Sequence, residues 1–441
     1  MSDILKTGDT VQGESSSLKC QVEVLLGSGG QGGVYRAKLG SQSVALKWYH
    51  PDYLQCDHFL RERLQQAIAK GSPSDKFLWP VEIATKKGNS SFGYIMPLRP
   101  PEYKSIVDLL NRKVTPTIRT LATTGFQLAD SFFQLHSKGL CYRDISFGNV
   151  FFSPKTGDIL VCDNDNVDID NQGKSSIMGT PKFIAPEIIA GESKPNKNTD
   201  LYSLAVLLFY LFYNHHPLEG KKEADTPCFD LPAQERLYGT EALFIFDPND
   251  NSNQPVPGYQ DNPLIMWNIY PQFFNNLFIQ AFTEGLRDTN RRVQETAWRK
   301  AMIRLRDSIV YCPYCGEENF YDQDYLKDHN GKTQDCWSCK RDIILPARLK
   351  LDKNIITLNY DTKLYPHHLE GYTSYDFSHP VAEMTQHPTN PEIWGLKNLS
   401  DEKWVITNAN GEIKDVPPGR TVTLDTKIKI SFGKVEGEIK V

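Results

Sequence analysis

At 441 residues the chain exceeds one ordinary hydrophobic core, and roughly two to four domains are expected from its length. It is 39% hydrophobic and 23% charged with a net charge of -5, and this mild acidity offers no broad field for nucleic acid or anionic lipid. The N-terminus lacks the apolar run of an export signal, and the longest apolar stretch, Leu201 to Tyr213, falls short of the about 20 residues that cross a bilayer. With nine cysteines, an odd number, a disulfide framework is disfavoured, so a cytoplasmic protein without membrane or nucleic-acid partners is expected.

In chain order, residues 1–18 are polar and rich in Gly and Ser, and a mobile tail is expected there. Short β-like runs follow from about Cys20 to Arg99: QVEVLLG, GGVYRAKL, SVALKWY and FGYIMPL. One helix interrupts them, from about Asp57 to Lys70, with Leu60, Leu64, Ala67 and Ile68 on one face. From Ile106 to about Ile309 the pattern is mainly helical: Phe126, Leu128, Phe132, Phe133 and Leu135 mark an apolar helix, and Leu201 to Tyr213 a buried one. Paired cysteines begin near Tyr311, and after Ile344 short strands alternate with turns such as Asn410-Gly411 and Pro417-Pro418-Gly419. The expected fold class is multidomain α+β. A two-lobed unit spans 19–306 (β-rich lobe 19–98, helical lobe 99–306), followed by a cysteine module over 307–345 and an all-β sandwich over 346–441.

The first chemical signal is the loop Gly27-Ser-Gly29-Gly-Gln-Gly32-Gly-Val34. It joins two strand-like runs, whereas a dinucleotide fold needs strand then helix and a P-loop needs Gly-Lys-Ser/Thr. A glycine hairpin can lay backbone N–H groups over a triphosphate, although glycine hairpins are often only turns. Lys47, in the strand-like Val44-Ala45-Leu46-Lys47, is placed to reach phosphate oxygens, or is a solvent-facing strand lysine. Glu62 on the following helix is the candidate carboxylate to hold it, or is a solvated face residue. The decisive run is Tyr142-Arg143-Asp144-Ile-Ser-Phe-Gly-Asn149, followed by Ile159-Leu-Val-Cys-Asp163. Phosphoryl transfer needs a carboxylate to orient and deprotonate a hydroxyl, and oxygen ligands for Mg²⁺.

In these residues the chain resembles the protein kinases, over about residues 20 to 305. The likeness continues through Gly179-Thr180-Pro181, Ala185-Pro186-Glu187, Asp200-Leu-Tyr-Ser-Leu-Ala and His216-Pro217-Leu218 to Arg292, placed to pair with Glu187. The resemblance implies ATP-dependent transfer to Ser/Thr hydroxyls of protein substrates, autophosphorylation included. Asp144 would be the base, and Arg143 would tie it to the activation segment. Lys47 would bind the α- and β-phosphates, braced by Glu62, while Asn149 and Asp163 would hold Mg²⁺ or Mn²⁺. Gly27, Gly29 and Gly32 would cover ATP, with Val34 and Ala45 beside it. Met96, Pro97 and Arg99 would form the hinge, Pro97 offering its carbonyl and Arg99 its N–H to adenine.

Three positions depart from the pattern. Tyr142 replaces a histidine, Ser146 replaces a lysine that contacts the γ-phosphate, and Asp163-Asn164-Asp165 replaces Asp-Phe-Gly. Asp165 either assists a second metal ion or repels phosphate. The alternative to an active kinase is therefore a pseudokinase scaffold that binds nucleotide and docks partners. Retention of Lys47, Asp144 and Asp163 favours activity. Ser175, Ser176 and Thr180 are candidate regulatory phosphosites facing Arg143; otherwise the serines are loop polarity and Thr180 shapes the substrate platform.

Cys312-Pro-Tyr-Cys315 and Cys336-Trp-Ser-Cys339 are two Cys-x-x-Cys pairs with the spacing of a structural zinc ribbon; an iron site is the rival. Cys20, Cys56, Cys141, Cys162 and Cys228 are scattered and read as small core residues. The tail, with Gly395-Leu-Lys-Asn398-Leu-Ser, the Asn410-Gly411 hairpin and Ile430-Ser-Phe-Gly433, resembles the second half of a forkhead-associated (FHA) sandwich. It lacks a first-half Gly-Arg followed by Ser-x-x-His, where such domains carry their phosphate contacts. Kinase, ribbon and FHA-like tail together resemble the bacterial kinases of the tellurite-resistance phosphorylation triad. That resemblance implies stress signalling beside a PP2C-type phosphatase and a von Willebrand A-type protein.

Overall fold

The computed structural model describes residues 5–170, 179–352 and 354–370 (for Glu370 the backbone alone), and 375–441. They divide into two compact units, one running to Asn268 and including Phe273–Met302, the other comprising Ile269–Gln272 and Ile303–Val441.

The first unit opens with a closed six-stranded barrel: β1 (Thr10–Gly13), β2 (Lys19–Ser28), β3 (Gly32–Leu39), β4 (Gln42–Tyr49), β5 (Glu82–Thr85) and β6 (Phe92–Pro97), in the order β1-β2-β3-β4-β6-β5. Strand β4 is buried from Val44 to Tyr49 because it packs on both faces. Period-2 alternation sends Val44, Leu46 and Trp48 into the barrel core. Ala45 and Tyr49 instead join the cluster formed with helix α2 (Leu60–Lys70), which follows the short α1 (Pro51–Cys56). Lys47 shares that second face by the same alternation.

The expected mobile tail is corrected. Strand β1 pairs with both β2 and β5 and closes the barrel, and Leu5 is buried in its core. The serine run caps a carboxylate: Ser15 and Ser16 donate from backbone N–H and hydroxyl to Glu82, at 2.5–2.9 Å. Glu82 is buried, and these four bonds hold its pKa down against the opposing effect of burial.

The helical half is built around α4 (Ile118–Ser137) and α6 (Lys197–Tyr213), with the shorter α3 (Ile106–Leu110) and α5 (Pro186–Ile189). Helix α6 is buried from Thr199 to Tyr213, as an all-round apolar sequence requires. Asn196 caps its start, accepting from Asn198 and Thr199 N–H groups, and left-handed Asn214 ends it. Short strands frame the loops that carry chemistry: Leu140–Cys141 before Asp144, and the hairpin Val150–Phe152 with Ile159–Val161 before Asp163. Among the described residues, no helix is long and apolar enough to cross a membrane.

The second unit begins with the hairpin Ile309–Tyr311/Glu318–Phe320, which carries the first cysteine pair. Two antiparallel sheets follow. One has six strands, running in space from Asn354–Thr357 through Arg348–Leu351, Glu436–Lys440, Lys429–Ser431 and Trp404–Thr407 to Ile413–Val416. The other orders Lys363–Leu364, Ala382–Gln386, Trp394–Asn398 and Thr421–Thr423. Leu349, Ile356, Trp404, Ile430 and Ile439 from the first sheet share one core with Leu364, Ala382, Leu396 and Val422 from the second, a β-sandwich. Thr357 Oγ1 donates to the carbonyls of Asp307 and Ile309, and Asn359 Nδ2 to that of Ile309 at 2.7 Å. The cysteine hairpin and the sandwich are thereby joined in one unit.

Candidate active site

Barrel and helical half enclose a cleft of about 800 Å³, a size suited to a small ligand. Its roof is the β2–β3 turn. A Cβ on Gly27, Gly29 or Gly30 would meet nothing within 4 Å, so a polyanion can come close to the backbone there. Gly32 serves packing instead, since its Cβ would lie 2.2 Å from the Trp48 carbonyl. Val34, Ala45, Met96, Pro97 and Arg99 all line the cleft, joined by Leu26, Leu78 and Phe151, which the sequence did not single out. The Arg99 guanidinium lies over the Phe151 ring at 4.1 Å, and its Nη1 donates to the Tyr103 carbonyl.

Lys47 is 3% exposed. Its Nζ donates to Asp165 Oδ2 at 2.8 Å and Oδ1 at 3.1 Å, and to Gln31 Oε1 at 2.7 Å, and lies 3.6 Å from Asp163 Oδ1. Burial disfavours its charge, but the Asp165 and Asp163 carboxylates outweigh burial and raise its pKa. The expected partner is not there. Glu62 lies on the exposed side of α2 and accepts from Gln66 at 3.3 Å. The inward residues of α2 are Leu60, Arg63, Leu64 and Ala67, and Arg63 is bound to Asp57 at 2.9 and 2.7 Å.

Asp163 adopts a left-handed backbone (φ 49°), followed by a 3₁₀ turn over Asn164–Asn166. Its pKa is raised by burial, and by Asp165 and Asp144 against the opposing Lys47. Asp165 moves the other way: burial would raise its pKa, yet Lys47 and the hydroxyl of Tyr49 (2.6 Å) lower it. Asn164 is fully buried and donates to the carbonyls of Leu78 at 2.9 Å and Val161 at 3.0 Å.

Asp144 faces the same cleft. Its Oδ1 accepts from Thr180 Oγ1 at 2.6 Å, and its Oδ2 from Asn149 Nδ2 at 3.2 Å and Asn166 Nδ2 at 3.3 Å. Asn149 Nδ2 also donates to the Asp144 carbonyl at 2.7 Å, which leaves its amide oxygen as the metal-type donor. Arg143, in a left-handed backbone (φ 72°), sets its guanidinium 3.2 Å from Asp168. Tyr142 packs edge-on against Phe132 and donates its hydroxyl to the Cys162 carbonyl, so the aromatic replacement has a structural place. Ser146 is buried and brings no cation. Ser175 and Ser176 lie outside the described residues. Arg292 binds Glu187 through two bonds of 2.8 and 2.7 Å, as its position in the sequence suggests.

Sequence reasoning missed the support beneath the loop. Asp200 accepts the backbone N–H of Tyr142 at 2.5 Å and of Arg143 at 2.8 Å, and His136 Nε2 lies 3.1 Å from its Oδ2. The other ring nitrogen of His136 meets Glu295. Burial lowers the pKa of His136, but the bonds to Asp200 and Glu295 prevail and raise it to about 9. No local motif announces His136, because its partners lie 64 and 159 residues along the chain.

In the second unit the Sγ atoms of Cys312, Cys315, Cys336 and Cys339 lie within 4.8 Å of one another. Cys312–Cys339 and Cys315–Cys336 are each 3.6 Å apart. Tetrahedral zinc with Zn–S of about 2.3 Å sets sulfur–sulfur distances near 3.8 Å, so the donor set fits. The two pairs form matching knuckles: Gly316 N donates to the Cys312 carbonyl and Lys340 N to the Cys336 carbonyl, both at 2.9 Å. Of the remaining cysteines, Cys20 and Cys141 are buried as expected, whereas Cys56 and Cys228 are exposed.

Comparison with known proteins points the same way. Residues 20–254 match the family described as Protein kinase domain. Protein kinase YegI of Escherichia coli (strain K12) is 26% identical over 325 residues, which cover 67% of this chain and 48% of that protein. The probable serine/threonine-protein kinase CCRP1 of Zea mays is 29% identical over 119 residues (26% and 19%). Serine/threonine-protein kinase plk-2 of Caenorhabditis elegans is 28% identical over 130 residues (28% and 20%). The chain thus spans about half, or less, of the length of these relatives. The fold is that of a two-lobed kinase-like domain, and the chain belongs to the protein kinase family.

Proposed function

We propose that the chain transfers the ATP γ-phosphate to Ser/Thr hydroxyls of protein substrates, itself included. The observation that carries this reading is the convergence of Lys47, Asp144 and Asp163 on one cleft beneath a glycine roof. Asp144 accepts the proton of the attacking hydroxyl as its oxygen bonds to the γ-phosphorus and ADP departs. Asn149, by its amide oxygen, and Asp163 would hold Mg²⁺ or Mn²⁺, which neutralises phosphate charge when bound. Lys47 binds the α/β-phosphate oxygens, and Met96, Pro97 and Arg99 receive adenine. The four cysteines would hold a structural zinc ion as a ribbon, with no open position for catalysis. For the sandwich, an FHA-like partner-docking role is supported by its two antiparallel sheets. The resemblance to the tellurite-triad kinases adds a PP2C-type phosphatase and a von Willebrand A-type protein as partners in bacterial stress signalling.

Mass spectrometry of the full chain incubated with Mg-ATP or Mn-ATP tests the reading. Wild type should gain phosphate, and Asp144→Asn should lose about 10²–10⁴-fold in rate, the usual contribution of a positioned base. Lys47→Ala should also be inactive. A wild-type chain that phosphorylates neither itself nor any partner would leave the pseudokinase scaffold, which the altered Asp163-Asn164-Asp165 motif already brings into view.

A further inference from the structure

We infer that Asp165 is the positioning residue for Lys47, doing from the metal-binding loop what a glutamate on helix α2 was expected to do. Both of its oxygens are committed. Oδ2 accepts from Lys47 at 2.8 Å and Tyr49 at 2.6 Å, and Oδ1 from Lys47 at 3.1 Å and Tyr94 at 3.1 Å. A carboxylate with four donors has no lone pair left to aim at a second metal ion, and its charge is already spent on the lysine. Neither role first considered for Asp165 therefore fits it.

The helix offers no rival. Leu60 and Leu64 share one buried apolar cluster with Tyr49 and Tyr94, while Arg63 is taken by Asp57. The side chains of Lys47 and Asp165 are 4% and 1% exposed, so loss of the carboxylate would leave a buried ammonium with only the more distant Asp163, at 3.6 Å, as counter-ion. Asp165 also sits in the turn that Asn164 pins to the carbonyls of Leu78 and Val161, and next to Asn166, which donates to Asp144. One 3₁₀ turn thereby fixes the phosphate-binding lysine on one side of the cleft and touches the base on the other. Ordering of that turn, rather than movement of α2, then governs whether Lys47 is in place.

This inference rests on the kinase reading, and the experiment keeps the two apart. In the full chain, initial rates of autophosphorylation are measured against ATP concentration for wild type, Asp165→Asn, Glu62→Gln and Tyr49→Phe. Asp165→Asn is expected to lower kcat about 100-fold and to raise KM for ATP about tenfold, because a misplaced Lys47 loses phosphate contacts both in the ground state and in the transition state. Glu62→Gln should keep both constants within about twofold, as an exposed side chain outside the site should. A kcat for Asp165→Asn within about threefold of wild type, or an equal loss in Glu62→Gln, overturns the inference. If Asp165→Asn does not melt cooperatively, Tyr49→Phe decides: the carboxylate stays but loses an orienting hydroxyl, and kcat should fall about fivefold, an unchanged value being contrary. Should wild type transfer no phosphate, the kinase reading fails alone. The assignment is then judged by ATP affinity, which should weaken about tenfold in Asp165→Asn and hold in Glu62→Gln, while equal affinities overturn it.

Discussion

The two units gather ionisable groups in opposite ways. In the first, each pair of carboxylates has its own cation between them: Lys47 stands between Asp163 and Asp165, and His136 between Asp200 and Glu295. In the second, four thiols converge on one another, and the groups turned on them are backbone N–H groups and the Asn319 amide. The first kind of cluster carries its own counter-ion and comes ready-made with the fold. The second fits an external cation, which would bind thiolates by displacing their protons. Clustered like groups thus come with an internal cation in one unit and have the donor set of a metal site in the other.

The largest effect should come from chelation. A strong zinc chelator is expected to abolish the second unit's melting transition while leaving the first unit's intact, as calorimetry of the full chain would show. If both transitions survive, the thiols need no metal and the contrast collapses. Next is His136→Asn, which leaves Asp200 and Glu295 facing each other without their cation. A cost of about 3–5 kcal/mol in urea unfolding is expected, with loosening of the loop that Asp200 holds. A value near zero would mean that His136 is not the counter-ion of this cluster.

The pH dependence sharpens the same point. The folded pKa of His136 is raised to about 9, so its contribution is complete below the unfolded value near 6.5 and is lost as pH rises through about 9. Wild-type stability should therefore decline across that window, and the decline attributable to this cluster should be missing in His136→Asn. The smallest effect is expected from Glu62→Gln, within about 0.5 kcal/mol by the same unfolding assay, because this exposed carboxylate belongs to neither cluster.

Much of the kinase domain was legible because its motifs sit in short, ordered strings. Asp144, Asn149 and Asp163 face the cleft or each other, as their spacing suggested. The brace of Lys47 was not legible. Asp165 stands where the pattern has glycine and looks like damage, while its tyrosine partners lie 116 and 71 residues away. Glu62 is near Lys47 in sequence, but helix geometry turns it away. Two residues beyond Leu60 is about 200° around the axis, opposite the Leu60–Leu64–Ala67 face. The N-terminal strand was missed for another reason. Ser15 and Ser16 read as linker by composition, and only the tertiary position of Glu82 reveals them as the donors that surround a buried carboxylate.

The ion pair between Arg143 and Asp168 has a consequence for control. A phosphate added near this arginine would meet a guanidinium whose counter-ion is already encoded in the gene. Any incoming anion would therefore have to displace the Asp168 carboxylate, 3.2 Å from the guanidinium, before it could bind there.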